Sequence, residues 1–163
     1  VAMILLNIVP VKEFYDGVDW AVVVLLGAMI PLGTALETTG TTTLLVNGIL
    51  AVAGDFSPVF LIAMILIITM TVSDVLNNAA TAILMAPIAY NIALALNLNP
   101  DAFLMAVAVG ASCAFLTPIG HQNNALIMGP GGYKFGDYWR MGLPLEIVIV
   151  IVALPLLLTA WPL

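Results

Sequence analysis

Residues 58–96 read PVFLIAMILIITMTVSDVLNNAATAILMAPIAYNIALAL. An apolar run, Pro58–Val72, stops at Ser73-Asp74-Val75-Leu76-Asn77-Asn78 and resumes as Ala79–Leu96. The pattern recurs in 102–128, AFLMAVAVGASCAFLTPIGHQNNALIM, where Ala102–Thr117 breaks at Pro118-Ile119-Gly120-His121-Gln122-Asn123-Asn124. Both breaks put polar backbone between segments apolar enough for a bilayer. Such backbone is tolerated at membrane depth only where protein buries it or where it lines a watery cavity. Two breaks within fifty residues therefore point to one shared polar site, which is how secondary transporters are built. The plainer alternatives are a capped loop between helices for the first break and a proline kink for the second.

Composition supports the membrane reading. Hydrophobic residues make up 63% of the chain and charged residues 7%, which leaves no polar shell for a soluble domain. The net charge is −6 with three basic residues in all, so there is no basic patch for nucleic acid or an anionic lipid surface. The single cysteine, Cys113, cannot form an intrachain disulfide and reads as a buried, inert thiol.

Working outward, Trp20–Ala35 reads as a span, Thr41–Ala53 as a shorter one and 142–161 as the last. Residues 1–10 are too short to cross and read as the end of an upstream helix, making 1–163 a single membrane-domain fragment. The arm Pro58–Val72 reaches about 22 Å against a core of ~30 Å, which favours a re-entrant hairpin over 58–96 rather than two full spans. Lys134 and Arg140 place 130–141 in the cytoplasm, since basic residues orient a chain. Counting back then puts the 97–101 loop and the Lys12 loop outside. Aromatic residues such as Trp20, Tyr133, Tyr138, Trp139 and Trp161 fall at the expected interfaces.

The breaks supply the candidate ligands. Asn77 and Asn78 stand where the second arm begins, so its first-turn amides and positive dipole end face a bound anion. Carbonyls ending the first arm, near Val72–Asp74, suit a small cation. In the second break Pro118 removes a donor and Gly120 is expected to adopt unusual dihedrals. Asn77, Asn78, Thr81, Asn123 and Asn124 are the expected substrate contacts, and Ser73, Asn78, Thr117, Gly120 and Asn124 the expected ion contacts. Neither break carries Lys or Arg, so a dianion site needs co-bound cations. Sodium fits oxygen ligands of this kind, and no other metal or cofactor is expected. Glu37 is read as facing a vestibule. Asp74 is compatible with a cation ligand, a proton relay or a vestibule residue. His121, the single histidine, is open to a part in proton coupling, but is read first as a neutral hydrogen-bonding residue that shapes its loop. Gly129-Pro130-Gly131-Gly132-Tyr133 is a turn: no Lys-Ser or Lys-Thr pair follows it to make a phosphate loop.

Asn77-Asn78-Ala79-Ala80-Thr81-Ala82 with Ala86-Pro87, then Ala111–Asn124, Gly129–Tyr133 and Gly142-Leu143-Pro144-Leu145, together resemble the C-terminal half of the divalent anion:sodium symporters. These are sodium-coupled dicarboxylate and sulfate carriers of the wider superfamily that includes the citrate carriers. Within them the chain is most similar to bacterial permeases with a TrkA-C insert. The resemblance implies an all-α membrane protein, the second inverted repeat of an elevator-type transporter, with one re-entrant hairpin and one broken transmembrane helix. It also implies a homodimer in the bacterial inner membrane, completed by an N-terminal half, and a transporter rather than an enzyme. The expected cargo is a small divalent anion such as sulfate or a dicarboxylate, taken up by sodium symport; a proton-coupled carrier or a metalloid-oxyanion exporter shares the architecture. The family's Ser-Asn-Thr hairpin motif reads Asn77-Asn78-Ala79 here, keeping the central Asn. Its Thr-Pro-Pro-Asn motif reads His121-Gln122-Asn123-Asn124, keeping Asn124.

An intramembrane protease lacks its zinc motif here, and a channel needs a continuous pore rather than two breaks that meet.

Overall fold

The computed structural model describes residues 38–53 and 56–163, with residues 10, 20, 23, 24, 27, 28, 31, 34 and 35 before them. The expectations for 1–10, the Lys12 loop, Glu37 and most of the Trp20–Ala35 span lie outside the described residues. From residue 41 the elements are α1 (Thr41–Ala53), α2 (Pro58–Ser73), α3 (Asn78–Ala95), α4 (Pro100–Ala111), α5 (Gln122–Met128), a 3-10 turn (Phe135–Asp137) and α6 (Tyr138–Ala160). The described residues contain no strand.

Local chemistry sets most of these ends. Ser57 caps α2, accepting from the Phe60 amide at 3.4 Å, and Pro58 occupies the first turn, where its missing N–H costs nothing. Asn77 caps α3 through the Ala80 amide at 2.7 Å. Asn99 caps α4 through the Asp101 amide at 3.0 Å, again with proline next. α3 closes on Asn97, which adopts φ +53°, so that the Leu98 amide reaches Ala93 O at 2.9 Å. This is the left-handed C-terminal closure that Asn tolerates better than most residues.

α4 packs most extensively, lying against both arms of the α2–α3 hairpin. α6 docks on α2 and α4, and α1 on α3. The buried positions of α2 are Leu61, Ile62, Ile65, Leu66, Thr69, Met70 and Ser73, a single helical face. Opposite them α4 buries Ala102, Ala106, Gly110 and Ala111 beside Phe103 and Val107. Small residues let the backbones approach: a Cβ on Gly110 would stand 2.9 Å from both Leu66 O and Thr69 Cβ. The outward faces are apolar too, with Ile67, Leu94, Val148, Ile151 and Leu156 exposed. A helix apolar all round belongs in lipid or in a larger core. Two helical stretches, Asn78–Ala95 and Phe135–Ala160, are long and apolar enough to cross a membrane, whereas Pro58–Ser73 and Pro100–Ala111 are shorter.

Two boundaries differ from the sequence reading. The second break opens at Ser112, not at Pro118, because α4 tightens at its end: the Ser112 and Cys113 amides bond to Val109 O and Gly110 O, three residues back. The backbone groups that follow are satisfied by the hairpin tip instead of by a continued helix. The last helix starts at Tyr138, four residues before the expected Gly142, on the short turn Phe135–Asp137, where the Lys134 amide donates to Asp137 Oδ2 at 2.8 Å.

Candidate functional site

The hairpin tip and the non-helical strip 112–121 are stitched together. The Leu116 amide donates to Asp74 Oδ1 at 2.8 Å, and the Thr117 hydroxyl donates to Asp74 O. Thr117 Oγ1 also accepts from the Ile119 amide at 3.1 Å, so one side chain both anchors and turns the strip. Ser73 Oγ donates to Ala111 O at 2.7 Å. The Asn78 side chain is surrounded by acceptors, so its NH2 end faces them: Ala111 O at 3.0 Å, Ser73 Oγ at 3.1 Å and Gly120 O at 3.2 Å. Most of these bonds tie the end of one broken element to the other, and each satisfies a polar group that lipid could not.

Gly120 is needed here for close approach, not for the unusual dihedrals expected of it. Among the described glycines only Gly40 and Gly132 have positive φ. A Cβ on Gly120 would lie 2.3 Å from Ser73 O and 2.5 Å from Ala114 Cβ. On the other side of the strip, a Cβ on Gly142 of α6 would lie 2.3 Å from Phe115 O. The strip is therefore clamped between the hairpin tip and the last helix by two glycines, one on each side.

Of the expected ion contacts, Ser73, Asn78, Thr117 and Gly120 meet at this junction. Asn124 joins from α5, its Nδ2 donating to Ala114 O at 2.9 Å and to Thr117 O at 3.3 Å. The Tyr138 hydroxyl closes the circuit onto Asn124 O at 2.6 Å. Of the expected substrate contacts, Asn77 and Asn123 are exposed. Thr81 is fully buried one turn into α3, with its hydroxyl oxygen unpartnered. His121 caps α5, its Nδ1 accepting from the Asn123 amide at 3.2 Å, which is the loop-shaping part read for it. Gly129–Gly132 forms the expected turn, with Gly132 at φ +67°.

Three features lie beyond the sequence reading. Asp74, left open between ligand, relay and vestibule, is buried, with 3% of its surface exposed, and its Oδ2 has no hydrogen-bond partner. Glu146 of α6 is buried at 9% exposure, with Oε1 unpartnered. It was visible as the one charged residue after Arg140, a carboxylate alone in a span. Finally, α5, the strip and the start of α6 border a cavity of about 710 Å³. Its lining is mainly apolar, but Asn124, Tyr138, Asp137 and Arg140 share it, so a guanidinium distant in sequence stands on the same cavity as the second break. Among the described residues no group of three or more His, Cys, Asp or Glu side chains is arranged to hold a metal ion.

Comparison with known proteins places this geometry in a family. The sequence profile described as citrate transporter matches residues 1–163. An uncharacterized transporter of Synechocystis is 40% identical over 96% of this chain and 25% of its own length. Sodium/sulfate cotransporter 2 of Chlamydomonas reinhardtii is 29% identical over 93% of this chain and 17% of its own length. A sodium-dependent dicarboxylate transporter of Staphylococcus saprophyticus is 24% identical over 86% of this chain and 27% of its own length. The chain spans about a quarter of the length of the first curated relatives it matches. The match along the whole chain agrees with the resemblance carried by the two breaks, and the chain belongs to the citrate transporter family, a family of integral membrane transporters and not of enzymes.

Proposed function

We propose that this chain forms half of the binding site of a secondary active carrier that moves a small divalent anion, such as sulfate or a dicarboxylate, together with sodium. The observation that carries the reading is the junction itself. A hairpin tip and a broken helix hold one another through Asp74, Leu116 and Thr117, and the exposed Asn77 stands at the N-terminus of α3 beside them. Polar backbone gathered in this way inside an apolar bundle serves a polar cargo.

The chemistry of the cargo follows from what lines the site. The α3 N-terminus offers amide donors and a positive dipole end to an oxyanion, and the strip offers carbonyl oxygens to a hard cation. Arg140, on the cavity shared with Asn124, adds a fixed positive charge near the second break. The names of two relatives, a sodium/sulfate cotransporter and a sodium-dependent dicarboxylate transporter, favour the same cargo and coupling ion. In this reading the rest of the protein completes the site as a first, inverted repeat. The pair works as an elevator-type homodimer in the bacterial inner membrane, with 58–96 as its re-entrant hairpin.

The test is uptake of radiolabelled sulfate and succinate into proteoliposomes holding the full-length protein, with and without an inward sodium gradient. Sodium-dependent uptake lost in Asn78→Ala supports the reading. Uptake of neither anion under a sodium gradient overturns it.

A further inference from the structure

The cavity of about 710 Å³ beside the second break has an apolar floor and a charged rim. Phe115 of the strip, Ile127 of α5 and Met141 and Leu145 of α6 make the floor. Ile127, Met141 and Leu145 are exposed, Met141 at 79%, so the apolar wall runs out onto the surface of the bundle. Arg140 and Asp137 stand on the same lining. They are three residues apart where α6 begins, a spacing that puts them on one face. Among the described residues no ion pair engages either of them.

Such a lining selects its occupant. A free oxyanion loses hydration against walls that are mainly apolar, and a purely apolar ligand leaves two charges of opposite sign unmatched. An amphiphile whose head carries both signs satisfies the floor and the rim together. Asp137 is already oriented for it: its Oδ2 accepts from the Lys134 amide at 2.8 Å, which leaves Oδ1 for a further donor. The Tyr138 hydroxyl, bonded to Asn124 O at 2.6 Å, holds α5 to the start of α6 and so fixes the two walls. Tyr133, Phe135 and Trp139, all exposed, flank the charged pair in sequence and mark the depth of lipid headgroups. With Lys134 and Arg140 oriented toward the cytoplasm, that depth belongs to the cytoplasmic leaflet.

We propose that this cavity binds one phosphatidylethanolamine molecule of the cytoplasmic leaflet, with its phosphate on Arg140, its ammonium on Asp137 and an acyl chain along Ile127, Met141 and Leu145. A guanidinium offers a phosphate forked, charge-assisted donors, and basic pockets between transmembrane helices are where lipid phosphates settle. The primary ammonium of ethanolamine donates N–H to a carboxylate, which the quaternary ammonium of choline cannot do. An uncharged glycerol head brings no positive charge to Asp137. The proposal needs the chain to lie in a membrane and does not depend on which cargo is carried. A seated phosphate screens Arg140, so occupancy sets how much of that charge the second break feels.

The experiment places the full-length transporter in phosphatidylcholine nanodiscs containing a small fraction of phosphatidylethanolamine whose acyl chain carries a photoactivatable diazirine. Peptide mapping after illumination should find the label on Ile127, Met141 or Leu145, several-fold above the level given by a phosphatidylcholine or phosphatidylglycerol probe. Arg140→Gln should lower that labelling roughly tenfold, as loss of a charge-assisted hydrogen bond does. Asp137→Asn keeps an acceptor for the Lys134 amide and should bring the phosphatidylethanolamine probe down to the phosphatidylcholine level; it is the second variant should Arg140→Gln fail to fold. Equal labelling by all three probes in the wild type overturns the proposal, since bulk lipid then explains the contact. So does labelling confined to other segments, which would mean that the rest of the transporter covers the cavity. Displacement of the probe by soluble glycerophosphoethanolamine as readily as by the lipid also overturns it, because the ligand is then a free headgroup compound. A protein that labels as expected yet takes up neither sulfate nor succinate keeps the lipid site and loses the proposed cargo. Sodium-driven uptake without headgroup preference has the opposite meaning.

Discussion

The Leu116 amide donates to Asp74 Oδ1 at 2.8 Å, joining the tip of the α2–α3 hairpin to a strip of chain 42 residues further on. With Thr117 bonded to Asp74 O, this one residue holds the strip through its side chain and its backbone. The junction is thus a fixed unit in which a change on either element is felt on the other.

Gly120→Ala places a methyl group 2.3 Å from Ser73 O, and backbone cannot swing aside as a flexible side chain does. The expected cost is about 1–3 kcal/mol, typical of overpacking, with loss of uptake because the strip is levered off the tip. Gly129→Ala, where nothing lies within 4 Å of the added atom, is the control. Thermal unfolding of the full-length protein compares them; equal midpoints for the two variants contradict the clamp.

Asn78→Ala and Asn77→Ala separate the two asparagines of the tip. Asn78 serves three acceptors on both broken elements, and its loss leaves buried groups without a donor, at about 1–3 kcal/mol. Asn77→Ala removes one helix cap, at about 1 kcal/mol. Unfolding midpoints should therefore fall further for Asn78→Ala. The reverse order would mean that the network is not what holds the tip.

Thr117→Val keeps the shape of the side chain and removes the hydroxyl that bridges Asp74 O and the Ile119 amide. The expected result is faster hydrogen exchange at Ile119 and its neighbours, restored in Thr117→Ser. Unchanged exchange in Thr117→Val would show that the strip is held by packing alone.

Tyr138→Phe removes the hydroxyl that reaches Asn124 O at 2.6 Å. A neutral hydrogen bond of this kind contributes about 0.5–1.5 kcal/mol, so a small drop in stability is expected. Local exchange should quicken around α5, which buries no residue of its own and depends on such tethers.

Cys113 is buried within the strip, with 7% of its surface exposed. A maleimide should leave the Cys113 peptide unlabelled in the folded protein and modify it after denaturation, as read by mass spectrometry. Rapid labelling under native conditions would show that the strip lifts from its clamp.

What the sequence carried on its own was everything written in local chemistry. The apolar runs, the polar interruptions and the Asn cap at 77 set α2 and α3 almost to the residue. They also drew attention to Ser73, Asn78, Thr117, Gly120 and Asn124, because an amide or hydroxyl at membrane depth is costly unless used. Where α4 stops was not legible. Ser112–Thr117 continues an apolar run that could remain helical, and it leaves the helix only because Asp74, from another element, takes its amide and hydroxyl protons. Gly120 reads as freedom to bend and Gly142 merely as the start of a span until the backbones they touch, Ser73 and Phe115, are in view. The burial of Asp74 and Glu146 lay furthest from the sequence. Each is a lone carboxylate in its own segment, and only packing of the strip between tip and last helix encloses them, since which side chains are covered is decided by how whole helices fit and not by any pattern along the chain.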